Sequence, residues 1–249
     1  MLLCFDIGNT FLKYAVYEND QLISFSKSKF HKLNLLNLKK YKIKNIAISS
    51  VVPSNLITLK NELDNVFGIV PFVINRNLKL NILLDFLDTS TIGIDRICAA
   101  SGAVAFFSEN STSPILAIDL GTATTINLIK PNNIFSGGII APGMKTMINS
   151  LNLQTAQLPE INLENYELFF GKDTKSAIAS GVVNSTLGLI NFAVQNVQTE
   201  FNSEPKLIIT GGNSDFIKGK IDYEFVQIKD LVLRGVKKIF EINNIIFHN

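Results

Sequence analysis

Two short turns of similar composition follow apolar runs of the sequence, Asp6-Ile7-Gly8-Asn9-Thr10 and Asp119-Leu120-Gly121-Thr122. The glycine of each turn can adopt backbone angles that other residues avoid, and it lets a phosphate approach the main-chain N–H groups. The neutral side chains beside each glycine donate hydrogen bonds without repelling an anion. The aspartates do repel phosphate, so each requires a cation between, such as Mg²⁺ held through water. One such turn is equally typical of a simple hairpin, but the pair indicates a phosphate-binding site.

A third segment, Gly93-Ile94-Asp95-Arg96, opens a stretch with helical character. An aspartate in the first turn stabilises a helix through its dipole, by ~0.3–1 kcal/mol, and this alone accounts for Asp95. Arg96 does not fit that explanation, because the same dipole disfavours a cation there. An adjacent acid and guanidinium suit a general base beside an anion clamp. From spacing alone, both interpretations stay open.

Two glycine-rich segments are candidates for close contact between backbone and ligand. The segment from Gly137 to Gly143 ends a predicted strand and enters a helix, so it is either a bulge or a ligand contact. Thr210-Gly211-Gly212 follows an apolar strand and can lie flat against a ligand such as adenine, although the tripeptide alone is unspecific.

Several function classes are excluded by pattern and charge. The sequence lacks the Gly-x-x-x-x-Gly-Lys-Ser/Thr loop, a Gly-x-Gly-x-x-Gly after the first strand, zinc-ligand spacing and a Ser-His-Asp arrangement. Its net charge of +2 is too small to favour nucleic acid or an anionic membrane. No export signal or membrane span is predicted, so we expect a cytoplasmic protein.

Apolar runs separated by turn residues predict the elements that position these segments. In the first half the predicted strands cover residues 2–7, 11–18, 21–26, 45–51 and 69–74, and the predicted helices cover 32–41, 54–66 and 94–107. In the second half the predicted strands cover residues 115–119, 124–130, 133–140 and 206–210, and a long helix covers 173–200. Each half begins with a strand, an Asp-x-Gly turn and a returning strand.

This repetition predicts an α/β protein made of two duplicated halves, residues 1–113 and 114–249. Both sheets should be mixed, with helices on their faces, and we expect the halves to face each other across a cleft that holds the active site.

Taken together and in order, the motifs resemble those of the type III pantothenate kinases, a branch of the superfamily of sugar and acetate kinases, actin and chaperone ATPases. The resemblance spans nearly the whole chain. It rests on these segments: Asp6–Lys13, Ser49–Pro53, Gly93–Arg96, Asp119–Thr124, Gly138–Gly143, Gly171–Thr174, Ser180-Gly181 and Thr210–Gly212. It implies ribonuclease H-like (actin-like ATPase) halves and ATP-dependent phosphorylation of pantothenate to 4′-phosphopantothenate, the first step of coenzyme A biosynthesis.

The resemblance also implies roles for individual residues. Asp95 would be the general base that takes a proton from the primary hydroxyl of the substrate. Asp119 would bind a monovalent cation, K⁺ or NH₄⁺, and Asp6 would hold Mg²⁺ through water. The implied ATP contacts are Asp6, Ile7, Gly8, Asn9, Thr10, Phe11, Leu12, Lys13 and Thr122. The implied pantothenate contacts are Phe86, Gly93, Ile94, Asp95, Arg96 and Thr174, with Arg96 and Thr174 placed for its carboxylate or amide.

The chain departs from the family pattern at Phe86, where the family commonly has tyrosine. The ring remains but one hydroxyl is lost, which costs ~0.5–1.5 kcal/mol if its partner finds water. The family is dimeric, and the long helix predicted over 173–200 carries Gly181 and Gly188 for close packing. Two alternatives stay open: a kinase of the same superfamily acting on another small alcohol, and a regulatory homologue without turnover.

Overall fold

The computed structural model describes residues 1–107, 111–163 and 169–244 of the 249-residue chain. The chain forms two compact units, and each unit is made of more than one stretch of the sequence. Unit 1 comprises Met1–Ser111, Asn132–Ser136 and Asp230–Asn249, and unit 2 comprises Thr112–Pro131 and Gly137–Lys229. The boundary predicted near residue 113 lies close to the first crossing between the units. The predicted division into halves at that residue stays a prediction, since unit 1 also contains two later segments.

Unit 1 contains a five-stranded mixed sheet with the order β3-β2-β1-β4-β5. Its strands are β1 (Leu2–Ile7), β2 (Leu12–Glu18), β3 (Gln21–Ser28), β4 (Asn45–Ser50) and β5 (Phe72–Val73). Its α-helices are α1 (Pro53–Phe67), α2 (Ile94–Phe107) and α6 (Leu231–Asn244). The central strand β1 runs antiparallel to β2 and parallel to β4.

The period-2 alternation of β1 decides what each face of this sheet buries. Leu3, Phe5 and Ile7 point to one side and form a core with Leu59 and Leu63 of α1. Cys4 and Asp6, the residues between them, therefore point to the opposite side, where α6 packs on β1. Asp6, near the end of β1, thus lies on the face that the helix covers, and only 5% of its surface is exposed.

The helices α2 and α6 pack closely because each has a glycine at the crossing. A Cβ atom on Gly102 would overlap the carbonyl oxygen of Leu231, and one on Gly235 would overlap that of Cys98. These contacts fix the position of α2, the helix that carries Asp95 in its first turn.

The second sheet has six strands in the order β11-β10-β7-β8-β9-β6. They are β6 (Leu83–Leu84), β7 (Ile115–Leu120), β8 (Ala123–Lys130), β9 (Ile134–Pro142), β10 (Lys206–Thr210) and β11 (Phe225–Gln227). The remaining helices are α3 (Met144–Gln154), α4 (Thr174–Phe201) and the short α5 (Ser214–Ile217). The core of unit 2 joins β7 and β10 to α3 and α4, through residues such as Ile118, Ile148, Val182 and Ile209.

Without β6, the two sheets have the same topology. In each, the strand before the Asp-x-Gly turn is central and its hairpin partner is antiparallel to it, and the strand on its other side, β4 or β10, is parallel to it. This arrangement confirms the predicted α/β fold with duplicated, mixed sheets flanked by helices.

Helix α4 is long and apolar enough to cross a membrane by length and composition, alone among the described helices. Half of the most apolar 18-residue stretch of this helix is buried within the fold. The buried residues include Ile178, Val182 and Ile190, which belong to the core of unit 2. The apolar composition of α4 is therefore that of a core helix.

Most predicted elements lie within two residues of the observed ones, but the helix predicted over 32–41 is wrong. Two short 3₁₀ turns, Phe30–Lys32 and Leu35–Leu38, occupy that stretch. The side chain of Asn34 accepts a hydrogen bond from the backbone N–H of Leu36, which stabilises a turn in place of an α-helix. The sequence analysis also missed β6, β11, α5 and α6.

Candidate active site

The first turn, at the end of β1, is closed by a short backbone hydrogen bond. The N–H of Gly8 donates to the carbonyl oxygen of Phe11 at 3.0 Å, and a Cβ atom on Gly8 would lie 3.2 Å from that oxygen. Asn9 and Thr10, between them, are exposed. The turn therefore presents its backbone and two neutral polar side chains to a ligand.

Asp6 has defined partners beneath this turn. Its cross-strand neighbours are Lys13 on β2 and Ser49 on β4. The Ser49 hydroxyl donates a hydrogen bond to Oδ1 at 2.9 Å, and the Lys13 ammonium lies 3.9 Å from Oδ2. Because both oxygens are engaged, the orientation of this buried carboxylate is fixed. The sequence singles out Ser49 only as part of the Ser49–Pro53 segment, and its bond to Asp6 was not predicted.

Cys98 connects Asp6 with Asp95. Burial raises the pKa of the Cys98 thiol well above its ordinary value, and the negative charges of Asp6 and Asp95 raise it further. A hydrogen bond with Ser49 acts in the opposite direction. Cys98 lies one helical turn after Asp95 on α2, and the Ser49 that it hydrogen-bonds also donates to Asp6. The structure thus brings together two residues that the sequence could place only on separate elements.

Asp95 is held against the beginning of α2. Its Oδ1 accepts a hydrogen bond from the backbone N–H of Arg96 at 2.8 Å. A Cβ atom on Gly93 would overlap the same oxygen, so glycine at position 93 leaves the room that the carboxylate occupies. The half-buried Asp95 side chain is thereby directed by its own helix terminus.

Arg96 and Phe86 both lie against the ring of Phe135, a residue that was not predicted to belong to the site. The guanidinium of Arg96 lies 5.5 Å from the ring centroid of Phe135, and the ring of Phe86 lies 4.8 Å from it at an angle of 75°. Burial lowers the pKa of Arg96 from its ordinary value, and the nearby Asp95 opposes this shift. Two predicted substrate contacts therefore share one aromatic neighbour. No local motif singles out Phe135, because its partners lie far away in sequence.

The second turn, in unit 2, surrounds Asp119 with glycines. A Cβ atom would lie 3.2 Å from Oδ1 of Asp119 if it were added to Gly121, and 2.5 Å if added to Gly211. Gly211 also has φ +97°, a conformation that favours glycine. Thr125 on β8 lies directly opposite Asp119, at the register position that Lys13 has opposite Asp6.

The glycine-rich segments predicted as ligand contacts close around the same turn. The N–H of Gly143 donates to the carbonyl of Thr122 at 3.0 Å, and the Thr146 hydroxyl donates to it at 2.6 Å. The backbone N–H of Asn213 donates to Leu120 at 3.0 Å. Three separate segments of unit 2 therefore form one backbone-lined site. Neither Thr146 nor Asn213 was predicted.

Thr174, the remaining predicted substrate contact, is the first residue of α4 and is exposed. Asp173 caps this helix by accepting a hydrogen bond from the N–H of Ser176 at 3.0 Å. A helix beginning is a favourable environment for an anion, which suits a residue expected to contact a carboxylate.

The described residues contain no group of three or more His, Cys, Asp and Glu side chains arranged to hold a metal ion. Mg²⁺ in phosphate-transfer sites keeps several waters and uses one or two carboxylates plus the phosphates of the substrate. A single oriented carboxylate such as Asp6 fits that requirement.

Comparison with known families points to one of them. A family model described as type III pantothenate kinase matches residues 2–196. The chain is 35% identical to the type III pantothenate kinase of Fervidobacterium nodosum, with 97% of each chain covered. It is 30% identical to that of Finegoldia magna, with 98% of each covered.

Solved structures show the same fold at lower sequence identity. A Campylobacter jejuni protein described as a Baf family transcriptional activator has a TM-score of 0.60 at 24% identity, covering 97% of this chain and 98% of that one. A glucokinase from an Antarctic psychrotroph has a TM-score of 0.52 at 9% identity, covering 97% and 98%. Component A of the (R)-2-hydroxyglutaryl-CoA dehydratase of Acidaminococcus fermentans has a TM-score of 0.53 at 13% identity, covering 100% and 99%.

Proposed function

The chain belongs to the type III pantothenate kinase family and phosphorylates pantothenate with ATP in coenzyme A biosynthesis, and we propose how its residues share that reaction. The observation that carries the proposal is a hydrogen-bonded link in unit 1: the Ser49 hydroxyl donates to Asp6 at 2.9 Å, and Ser49 also hydrogen-bonds Cys98, which lies one helical turn after Asp95 on α2. This link supports a phosphate turn and a candidate base at one end of the same unit.

In phosphoryl transfer the protein acts mainly by positioning the reactants and by stabilising the charge of the transition state. Asp95 accepts the proton from the primary hydroxyl of pantothenate as that oxygen attacks the γ-phosphorus of ATP, and the bond from the γ-phosphorus to the bridging oxygen breaks to release ADP. The hydrogen bond from the backbone of Arg96 holds the carboxylate in place for this step. The other superfamily alternative, a kinase for a different small alcohol, would use the same base and differ only in its acceptor pocket.

In the first turn the ATP contacts are Asp6 to Lys13, and Thr122 of the second turn is a further ATP contact. The neutral side chains and N–H groups of the first turn donate hydrogen bonds to phosphate oxygens, except the Gly8 N–H, which donates to Phe11. Lys13 contributes a positive charge. Asp6 holds Mg²⁺ through water, and Ser49 and Lys13 support this role by fixing its carboxylate. When bound, the metal neutralises the charge that develops on the phosphates.

Asp119 binds a monovalent cation, K⁺ or NH₄⁺. A carboxylate beside a phosphate-binding turn requires a counter-charge. The corresponding position of the first turn has Lys13, whereas here it is the neutral Thr125. The Asp119 carboxylate is crowded by the backbone around Gly121 and Gly211, which suits a small bound ion better than a long side chain.

In unit 1 the pantothenate contacts are Phe86 and the Gly93–Arg96 segment, and Thr174 at the beginning of α4 is a further contact. Arg96 binds its carboxylate, because a partly desolvated guanidinium gains most from an anionic partner. Phe86 contributes an apolar ring where the family commonly has tyrosine.

A homodimer forms through the exposed face of α4, and the protein acts in the cytoplasm. The face consists of Ala177, Gly181, Ser185, Gly188 and Phe192, all exposed, at the spacing of one helical stripe. A Cβ atom on Gly181 or Gly188 would meet open space, so a partner helix can approach closely there. Phe192→Lys should give monomers in analytical ultracentrifugation, whereas Ile57→Lys, at an equally exposed apolar position on α1, should leave the dimer intact.

The overall assignment is tested by measuring ATP consumption with pantothenate against a panel of sugars and short alcohols. We expect turnover with pantothenate and background rates with the others. A better rate with another alcohol would identify a different kinase. Background rates throughout, with ATP still bound, would favour the regulatory homologue.

A further inference from the structure

The beginning of β9 is attached to the segment that carries Phe86. Strand β6 pairs in parallel with β9, with Leu84 opposite Phe135. The N–H of Asp85 donates to the carbonyl of Phe135 at 2.9 Å, and the Ser136 hydroxyl donates to the carboxylate of Asp85 at 2.8 Å. These bonds explain why residues 132–136 belong to unit 1 although the rest of β9 belongs to unit 2.

Phe135 is fully buried, and its ring contacts two side chains of the proposed pantothenate pocket. Phe86 meets it edge-to-face at 4.8 Å. The guanidinium of Arg96 lies over it at 5.5 Å, within the distance at which a cation is attracted by an aromatic face. The backbone hydrogen bond between Asp85 and Phe135 holds the backbone of Phe135 in place. The buried ring therefore has a defined position beside Phe86 and Arg96.

The attraction matters because Arg96 is partly removed from water. A cation over an aromatic ring is stabilised more when it is desolvated. An aliphatic residue would fill the space but provide neither the charge distribution nor the flat surface. Arg96 would then lose the attraction of the ring, which we expect to change the direction of its guanidinium.

We propose that Phe135 is a positioning residue that sets substrate specificity, because its ring holds Arg96 in the orientation that recognises a carboxylate and holds Phe86 beside it. The inference rests on the proposed function, in which Arg96 binds the carboxylate of pantothenate. Phe135 itself acts only through its two neighbours.

The test compares pantothenate with its alcohol analogue, in which CH₂OH replaces the carboxylate. For Phe135→Leu we expect KM for pantothenate to rise roughly tenfold, because the cation–π attraction that it loses is of that order. KM for the alcohol should change little, so the preference for the carboxylate falls by the same factor. The kcat should stay within about twofold, because a contact made equally in ground and transition states affects KM alone.

Two further variants make the result specific. Phe135→Met keeps an apolar side chain of similar length without the ring, and it decides the question if the leucine variant fails to fold. Phe240→Leu is the matched control, since Phe240 meets Phe72 edge-to-face at 5.5 Å in the same unit. It should lower the thermal unfolding temperature without changing the preference between the two compounds.

The outcomes separate this inference from the assignment beneath it. A wild-type enzyme that prefers pantothenate, together with Phe135 variants that keep the full preference, would overturn the role of Phe135 alone. An equal rise in KM for both compounds would also overturn it, since that is a general packing defect. A wild-type enzyme without preference for the carboxylate would instead overturn the assignment of Arg96, and this inference with it.

Discussion

The two Asp-x-Gly turns occupy the same place in two sheets of the same topology, yet their carboxylates have different surroundings. Asp6 has a lysine opposite it and a serine hydroxyl beside it. Asp119 has a neutral threonine opposite it, and the backbone near Gly211 presses against it. Unit 1 thus has a lysine at the position opposite its aspartate, whereas unit 2 has a neutral residue there. The duplicated fold keeps the same turn in both units with different neighbours, and in the proposed function the two carboxylates have different roles.

The largest effect expected from this division concerns the base. Asp95→Asn should lower kcat at least ~10²-fold, because a positioned base contributes ~10²–10⁴, while ATP binding and unfolding temperature stay unchanged. Steady-state kinetics and nucleotide titration check this. Asp64→Asn, an exposed position on α1, should behave as wild type. Near-normal turnover of Asp95→Asn would remove this residue from the chemistry.

The second prediction exchanges a property between the turns. Wild-type activity should fall about tenfold or more when K⁺ or NH₄⁺ is replaced by Na⁺ or a large organic cation, since losing ~1.4 kcal/mol of attraction already gives that factor. Thr125→Lys places an ammonium opposite Asp119, as Lys13 stands opposite Asp6, and should flatten this dependence. Equal wild-type rates in all these salts would contradict the cation site.

A smaller effect is expected at the acceptor pocket of unit 1. If the absent hydroxyl costs one hydrogen bond, Phe86→Tyr should lower KM for pantothenate by up to ~10-fold, with little change in kcat. If the pocket has been reshaped around an apolar ring, the new oxygen is buried without a partner and KM rises instead. Measuring KM for pantothenate with the wild-type protein and with Phe86→Tyr distinguishes the two cases, because KM falls in the first and rises in the second. The response to K⁺ should be unchanged in either case, because the proposed cation site lies in unit 2.

The smallest effect concerns the support of Asp6. Ser49→Ala removes the hydroxyl that orients its carboxylate, at a cost of about 1 kcal/mol, or roughly fivefold in KM for Mg-ATP. Ser101→Ala deletes another buried hydroxyl of unit 1, which bonds Asn81, and should leave that KM unchanged. A shift in KM for pantothenate but not for ATP would contradict the assignment of Asp6 to the nucleotide.

The sequence predicted the parts of the site that lie within one element and its turn. Asp6, Asp95 and Asp119 each end a strand or begin a helix, and glycine spacing marks such places. Contacts across the fold left no local signal. The bond from Ser49 to Asp6 depends on the register of two strands, and Phe135 reaches Arg96 only because β6 pairs with β9.

The same limit applies to the fold. The bounds of strongly apolar strands such as β1 and β7 were predicted to within one residue, because an uninterrupted run of apolar residues is typical of a buried strand. The stretch 32–41 has leucines at helical spacing, but the side chain of Asn34 accepts a hydrogen bond from the local backbone and favours 3₁₀ turns. Strand β6 has only two residues, too few for any periodicity.

The return of α6 to unit 1 has a consequence for how the protein is made. A ribosome releases β1 and α2 long before it synthesises Leu231–Asn244, the helix that packs on both. Domains usually fold in the order of synthesis, but here the unit begun first lacks one of its helices until nearly all of the described chain has emerged. Until then we expect the surface of α2 around Gly102, which α6 covers in the folded protein, to stay exposed. Folding on the ribosome should therefore be completed for unit 1 no earlier than for unit 2, and nascent chains stalled before residue 231 should be readily digested within α2.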